Sequence, residues 1–325
     1  MQRRSLIIGA AAAAGLGYAT RSRAATPAPL QSIDVAMLAP SALLWVHAVA
    51  QSNGYYARHG IRVRQARVSS SPVLLEAVAS GSAAAGFSLG DVAMRGIDRG
   101  AAVVIVGAVL QKSALRLFGG KNIIKAADLD GKNVTAGAVR GGTADLMRYM
   151  LMKNGGNPAS VHMVSISNSS DRLVALQNGS ISGALLLAPF DTLAARDGFH
   201  ELAFDPDLYV ETPVVLNKPW ATRHRAEAIA LVHALRDAAT WIDAPANREG
   251  AIAALAGYTR IAKDICEQSY EFIIGVQHAI PASLAVPSAG LENIQKIDVE
   301  VNGGKSTWPP FSLSRYYDPS FLEAA

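Results

Sequence analysis

The hydrophobic and polar positions alternate between short strand patterns and amphipathic helical patterns along almost the whole chain. Apolar stretches rich in β-branched residues predict strands at 33–37, 61–68, 85–89 and 103–110. Between them, segments such as 72–79 have Leu, Val and Ala at helical spacing after a hydroxyl residue and end at glycine. Regular alternation of strands and helices predicts parallel sheets covered by helices.

This pattern is repeated within the chain. Residues 69–91 align without a gap on residues 167–189 at a constant offset of 98, and Val35 aligns on Val134 across a small insertion. Each copy predicts strand, helix, strand, helix and strand, so the chain predicts two similar α/β lobes. The matching residues are common ones, and an accidental likeness between two α/β units is the alternative interpretation.

Two long extended passages, near Ser113 and near Tyr209, predict that the chain crosses between the lobes twice. Lobe 1 is therefore expected to comprise residues 31–112 and 213–325, and lobe 2 residues 113–212. After the second crossing, three helical stretches are expected to pack on lobe 1, at 223–243, 249–256 and 262–276. The proline-rich tail around Trp308 is expected to lie on the surface.

Residues 1–24 predict an export signal. Arg3 and Arg4 precede an Ala/Gly-rich apolar run to about Ala19, and Ser22–Ala24 form a small-x-small cleavage pattern ahead of Ala25. The segment resembles a twin-arginine signal and is short for a permanent membrane helix. It predicts a periplasmic protein, and the lack of a nearby cysteine predicts that the protein is not a lipoprotein. An uncleaved anchor is the alternative.

The predicted signal also changes the interpretation of the net charge. The chain has 30 basic and 26 acidic residues, but four arginines and no acid lie in residues 1–24, so the remainder is balanced at 26 of each. A neutral domain does not favour nucleic acid or an anionic membrane as a partner. Cys266 is the only cysteine, so the fold depends on a packed core without an intrachain disulfide.

Several segments together resemble one group of transport proteins. In chain order, these segments are Gly54–Ile61, Ala79–Gly86, Asp130–Val134, Arg140–Asp145, Leu173–Gly179 and Ala188–Asp191. Their order and spacing resemble the nitrate, sulfonate and taurine branch of the ABC-transporter substrate-binding proteins, which includes binders of thiamine-pyrimidine precursors. The resemblance implies a type II periplasmic-binding-protein fold, with two α/β lobes joined by two crossover hinge strands. It also implies a monomer without a cofactor that presents a small molecule to an inner-membrane permease.

The loops that follow the predicted strands are expected to bind the ligand. They contain these candidate residues: Pro40, Ser41, Ser70, Ser71, Gly90, Asp91, Arg140, Gly141, Gly142, Thr143, Asn168, Ser169, Pro189 and Phe190. Hydroxyl groups and the N–H groups of helix amino termini bind anions without a full counter-charge. The pattern therefore favours a small organic anion such as a sulfonate or carboxylate. Nitrate, aromatic acids and pyrimidines stay open.

Three of these residues have specific alternatives. The Arg140 guanidinium lies beside two glycines and suits bidentate binding of a carboxylate or sulfonate. It could instead face solvent or pair with Asp145. Asp91 could bind a ligand amine, although an acid in the first turn of a helix more often stabilises the helix end. Phe190 could stack on a planar ligand.

An enzyme on the same fold is the main alternative function, similar to the pyrimidine synthases or to a dehydratase of menaquinone synthesis. The synthases carry a cysteine-rich motif that a chain with one cysteine does not match, and both enzymes are cytosolic. Gly303–Ser306 lacks the earlier glycine of a phosphate-binding loop, since Val299 holds that position. The sequence has no HExxH metal motif. A ligand-sensing module for a signalling partner is a second alternative.

Overall fold

The computed structural model describes residues 29–324, and the predicted signal at 1–24 lies outside them. The strands are β1 (Gln31–Met37), β2 (Ile61–Arg67), β3 (Ala85–Phe87), β4 (Val103–Lys112), β5 (Leu115–Gly119), β6 (Asn133–Gly137), β7 (His162–Ser165), β8 (Gly183–Leu187), β9 (His200–Phe204) and β10 (Leu208–Asn217). The helices are α1 (Trp45–Ser52), α2 (Tyr55–Arg58), α3 (Ser71–Ala79), α4 (Gly90–Asp98), α5 (Gly142–Lys153), α6 (Ser169–Gln177), α7 (Phe190–Arg196), α8 (Lys218–Arg223), α9 (Arg225–Asp243), α10 (Arg248–Thr259), α11 (Lys263–Tyr270), α12 (Ser288–Val301) and α13 (Leu313–Tyr316). A π-helical segment, Glu271–Val276, continues α11.

The strands form two five-stranded sheets of the same topology. The order is β2-β1-β3-β10-β4 in the first sheet and β7-β6-β8-β5-β9 in the second. In each sheet three strands are parallel, and the strand beside them is antiparallel. The predicted repeat therefore corresponds to the β1-to-β3 unit of one lobe and the β6-to-β8 unit of the other. Two similar α/β lobes are confirmed.

The chain passes between the sheets twice. It leaves the first sheet between Lys112 and Leu115 and returns between Phe204 and Leu208. The sequence predicted that the chain re-enters lobe 1 between residues 212 and 213. This boundary falls inside β10, because Leu208 already pairs with Lys112 of β4 in the first sheet. The exact division of the chain into lobes stays a prediction.

Both sheets are covered on both faces, which explains the continuous apolar runs in their central strands. All five residues of β8 are buried, as are nine of the ten residues of β10. The second sheet packs α5 on one face, through Leu146 and Met150, and α6 on the other, through Leu173 and Leu176. Within residues 29–324, no helix combines the length and the apolar character needed to cross a membrane.

The first predicted helix begins differently from the expectation. Residues 42–44 form a 3-10 turn before α1, and the Ser41 side chain makes no capping hydrogen bond. The Ser41 hydroxyl is thus not used by the helix that was expected to need it.

The C-terminal region corrects the sequence analysis in two respects. Helix α12 was not predicted, yet it packs against β10 and against α5 of the other lobe. The tail was expected on the surface, but Trp308 and Tyr316 are buried. The Trp308 indole N–H donates to Asp298 at 2.8 Å, and the Tyr316 hydroxyl donates to Asp98 at 3.0 Å. These bonds stabilise the tail against α12 and α4.

Candidate functional site

A cleft of about 310 Å³ lies between the lobes, near the lower limit for small-molecule sites. Its walls are the loops after β1, β2 and β3 on one side and after β6, β7 and β8 on the other. Parallel strands place all their carboxyl ends at one edge of a sheet, so these loops converge. Leu115 and Glu211 extend the wall from the two crossing strands, β5 and β10.

The lobes also touch each other beside this cleft. The Ala42 N–H donates to the Ala188 carbonyl at 2.9 Å, and the Thr192 and Ser269 hydroxyls are 3.3 Å apart. The structure is therefore a closed arrangement in which a ligand would contact both lobes.

Twelve of the fourteen predicted residues line the cleft: Pro40, Ser41, Ser70, Ser71, Asp91, Arg140, Gly141, Gly142, Thr143, Asn168, Ser169 and Phe190. Gly90 and Pro189 do not line it. Gly90 is buried against the Val210 carbonyl and Ile294, where a side chain would not fit. Pro189 is buried at the start of α7. Ligand binding by the twelve stays a prediction.

The hydroxyl groups of the cleft fall into two sets. Thr143 Oγ1 donates to the Ala136 carbonyl at 2.6 Å, and Ser169 Oγ accepts from the Leu187 N–H at 3.2 Å. The hydroxyls of Ser41, Ser70, Ser71 and Ser167 make no hydrogen bond to any other group of residues 29–324. This second set, with members from both lobes, has its full bonding capacity available to a ligand.

Arg140 lies on the rim of the cleft. It is exposed, and within the described part of the chain it makes no ion pair. The alternative pairing with Asp145 is absent, because Asp145 pairs with Arg148 at 3.0 Å. Arg140 is exposed and also forms part of the cleft wall, so its guanidinium is accessible to an incoming anion.

Asp91 contacts the opposite lobe. Its carboxylate lies against Gly141 and Gly142 at the start of α5, and a methyl group built on Gly142 would overlap it. Gly142 also has a φ of 36°, in the left-handed region that favours glycine. A carboxylate at the positive end of a helix is stabilising, so Asp91 links its own helix, α4, to the start of α5 across the cleft.

Two residues outside the predicted set contribute buried charges. Arg172, in α6, is 6% exposed and lines the cleft. It donates to three backbone carbonyls, of Ile166 at 2.8 Å, Leu185 at 2.8 Å and Ser167 at 2.6 Å. Within residues 29–324 it forms no ion pair. Three of its five N–H donors are thus used, and the buried positive charge has no direct counter-charge.

Glu211, in β10, is the second buried charge. It is 2% exposed, and its Oε2 has no hydrogen-bond partner in the described residues. Arg172 and Glu211 line the same cleft without forming a direct ion pair.

Comparison with known proteins is consistent with this geometry. The family model described as NMT1-like family matches residues 27–256. The chain belongs to the NMT1-like family.

Solved structures similar to this NMT1-like protein include three named as binding proteins. The alkanesulfonate-binding protein SsuA of Xanthomonas axonopodis pv. citri bound to MOPS has a TM-score of 0.70 and 17% identity, and the match covers 85% of this chain and 94% of that chain. The periplasmic nitrate-binding protein NrtA of Synechocystis PCC 6803 has a TM-score of 0.73 and 14% identity, with 90% of this chain and 87% of that chain covered. The periplasmic aliphatic sulphonate binding protein SsuA of Escherichia coli has a TM-score of 0.64 and 17% identity, with 84% of this chain and 92% of that chain covered. At these identities the likeness shows the fold, and the predicted two-lobed type II fold is confirmed. A search of curated proteins found no match.

Burial dominates the electrostatics of the cleft in this NMT1-like protein. Burial raises the pKa of Glu211 to about 7, the charge of Asp91 acts in the same direction, and the Ser113 hydroxyl and Arg172 act against it. Burial likewise raises the pKa of Asp91 to about 6, although Arg95 and the Val92 N–H favour its ionised form. Burial lowers the pKa of Arg172 to about 10, so it stays charged at neutral pH.

Both residues that the sequence analysis missed lie inside secondary structure, whereas the predicted set was taken from loops. A signal for Arg172 exists in the repeat, where the offset of 98 aligns it with Leu74, a fully buried core residue. A charged residue at a buried position of the repeat indicates a local function. For Glu211 the signal is weaker: it is an acid within the otherwise uncharged strand segment Tyr209–Leu216.

Proposed function

We propose that the protein is a periplasmic receptor of an ABC importer that binds a small organic acid between its two lobes and presents it to a permease. The observation that carries this proposal is Arg172, a buried guanidinium without a counter-charge on the wall of a cleft. An isolated buried charge is costly unless it is paired. An anionic ligand would supply the missing partner.

The helices around the cleft support the same chemistry. The first residues of α3, α5 and α6 line it, and each helix start carries unpaired N–H groups and a partial positive charge. Arg140 adds an accessible cation at the rim. The similar proteins named as sulfonate-binding and nitrate-binding point in the same direction.

Closure of the lobes is the proposed mechanism. A ligand that contacts both walls stabilises the closed arrangement over an open one by those contacts, and the crossings at 112–115 and 204–208 are the hinge. We also propose export by the twin-arginine-type signal at 1–24, without lipid attachment.

The composition of the cleft favours a receptor over the enzyme alternative. Its wall, within residues 29–324, contains neither cysteine nor histidine, and Cys266 is buried elsewhere. No group of three or more potential metal ligands occurs in the same residues. A cysteine nucleophile, a histidine base and a metal-assisted route are thus not favoured at this site.

The test is calorimetric titration of the purified protein with a panel of alkanesulfonates, nitrate and aliphatic and aromatic carboxylates. Arg172→Gln should weaken any acid that binds by about 1.5–3 kcal/mol, the contribution of a charged hydrogen bond. Arg236→Gln is the matched control, since Arg236 is a half-buried arginine that donates to the Leu322 carbonyl away from the cleft. Equal affinities of wild type and Arg172→Gln would contradict the proposal.

A further inference from the structure

Three buried carboxylates, contributed by both lobes, surround one narrow gap beside the cleft. Asp91 of α4 and Asp298 of α12 come from lobe 1, and Asp145 of α5 comes from lobe 2. Their exposed fractions are 4%, 5% and 7%. Buried carboxylates repel one another when they are ionised, and each then requires a compensating charge. Opening of the lobes would move Asp145 away from the other two and admit water, so the charges in this gap are linked to closure.

Two arginines neutralise only two of the three acids. Arg95 pairs with Asp298 at 2.6 Å, and Arg148 pairs with Asp145 at 3.0 Å. In the described part of the chain Asp91 forms no ion pair, although its carboxylate lies against the start of α5. That helix end carries about half a positive charge, which does not fully compensate a buried carboxylate that also faces Asp145.

The other charged or titratable groups that face Asp91 lie on its own helix and on the elements packed against it. They are Arg95 on α4, Arg140 in the loop before α5, Asp145 and Arg148 on α5, Asp298 on α12, and Tyr209 and Glu211 on β10. Burial raises the pKa of both Tyr209 and Glu211, and the charge of Asp91 acts in the same direction. Tyr209 stays neutral, whereas Glu211, with a pKa of about 7, titrates close to the range of Asp91. Glu211 lies beside Ser113, at the crossing itself, so it moves less than Asp91 relative to the other lobe when the lobes separate.

We propose that Asp91 makes closure of the lobes pH-dependent: protonated Asp91 favours the closed arrangement, and ionised Asp91 favours an open one in which water surrounds its carboxylate. This inference rests on the proposed hinge closure of the receptor. In the open arrangement Asp91 ionises as an ordinary aspartate, with a pKa near 3.8, whereas burial in the closed arrangement raises its pKa to about 6. Closure therefore takes up a proton between these two values, and it becomes less favourable as the pH rises through this range.

Distances between spin labels on the two lobes measure this equilibrium without any ligand. Glu76 of α3 and Val174 of α6 are exposed and lie on opposite lobes, and Cys266, the only cysteine, is buried. Glu76→Cys and Val174→Cys in a Cys266→Ala background provide two label sites. Double electron–electron resonance then gives the populations of closed and open protein. The closed-to-open ratio should be about tenfold higher at pH 5 than at pH 7.5, because the pKa of Asp91 moves from 3.8 to about 6 on closure.

Three variants of the labelled protein identify the group that takes up the proton. Asp91→Asn keeps the shape of the side chain and removes its titration, and its ratio should change less than about twofold between the two pH values. Asp91→Ala is a second variant without titration, and the same result is expected. Glu211→Gln should retain the tenfold change.

Each contrary outcome is distinct. A closed-to-open ratio that is equal at pH 5 and pH 7.5, or higher at pH 7.5, overturns the inference and leaves the receptor function, which calorimetry with acids tests, unaffected. A tenfold change that both Asp91 variants retain also overturns it. Loss of the change in Glu211→Gln, with retention in the Asp91 variants, would assign the proton to Glu211 instead.

Discussion

The buried position of Glu211 predicts that the protein loses stability as the pH rises. Burial raises the pKa of Glu211 from 4.5 to about 7 in the folded state. Below pH 4.5 the carboxyl is neutral in both the folded and the unfolded state, and the group contributes no pH dependence. Between these two pKa values the unfolded state ionises first, so the free energy of unfolding falls with pH. Above pH 7 the loss is complete.

The size of the effect follows from the shift. One pKa unit corresponds to about 1.4 kcal/mol, so the full loss is about 3 kcal/mol, and about 2.5 kcal/mol of it falls between pH 5 and pH 8. Asp91, whose pKa is about 6, adds to this trend. His47 opposes it, since burial lowers its pKa to about 3 and the folded state resists its protonation. The difference in unfolding free energy between wild type and a Glu211 variant removes the contributions of Asp91 and His47, because both proteins contain these residues.

Urea unfolding of wild type and Glu211→Gln at pH 5, 6, 7 and 8, without ligand, measures the difference. The variant should gain about 2.5 kcal/mol relative to wild type on going from pH 5 to pH 8. Glu76→Gln, an exposed change on α3, is the control and should follow the wild-type profile. A difference between wild type and Glu211→Gln that stays constant from pH 5 to pH 8 would refute the reasoning from burial.

Two further changes test the cleft. Gly142→Ala should weaken ligand binding about tenfold or more, because its methyl group would overlap the Asp91 carboxylate. Adding Asp91→Ala should restore part of this affinity in calorimetry, and no recovery would attribute the loss to backbone strain instead. Arg140→Ala should weaken an anionic ligand by about 1.5–3 kcal/mol, since its guanidinium is accessible at the rim. Unchanged affinity would remove Arg140 from the site.

The two-lobed fold could be predicted because the patterns that specify its strands and helices involve residues close together in the sequence. Strand periodicity, helix starts and glycine ends recur in both lobes, and the same topology results from each copy. Helix α12 was missed because its pattern depends on distant residues. Leu291, Ile294 and Ile297 have helical spacing, but the polar Asp298 is also buried, and its partner is Trp308 of the tail. A single sequence does not show that such a polar position faces the interior.

The site was predictable to the extent that topology determines it. Loops after parallel strands converge at one edge, and that rule alone placed most of the predicted residues on the cleft wall. The rule does not reach Arg172 or Glu211, because each lies within a helix or strand and not in a loop after a parallel strand. Their significance depends on burial and on missing partners, which are properties of the folded chain.

The asymmetry between the two copies of the repeat explains where an acid is expected to bind. Ser41 aligns on Thr143, but the two loops carry different residues: the loop after β6 ends in two glycines, Gly141 and Gly142. Gly142 lies against Asp91, so the positive end of α5 already faces a carboxylate of the protein. That end therefore attracts a second anion less, and Arg172, beside the start of α6, is the buried cation that still lacks a partner. A ligand acid is therefore expected at Arg172 and not at the start of α5.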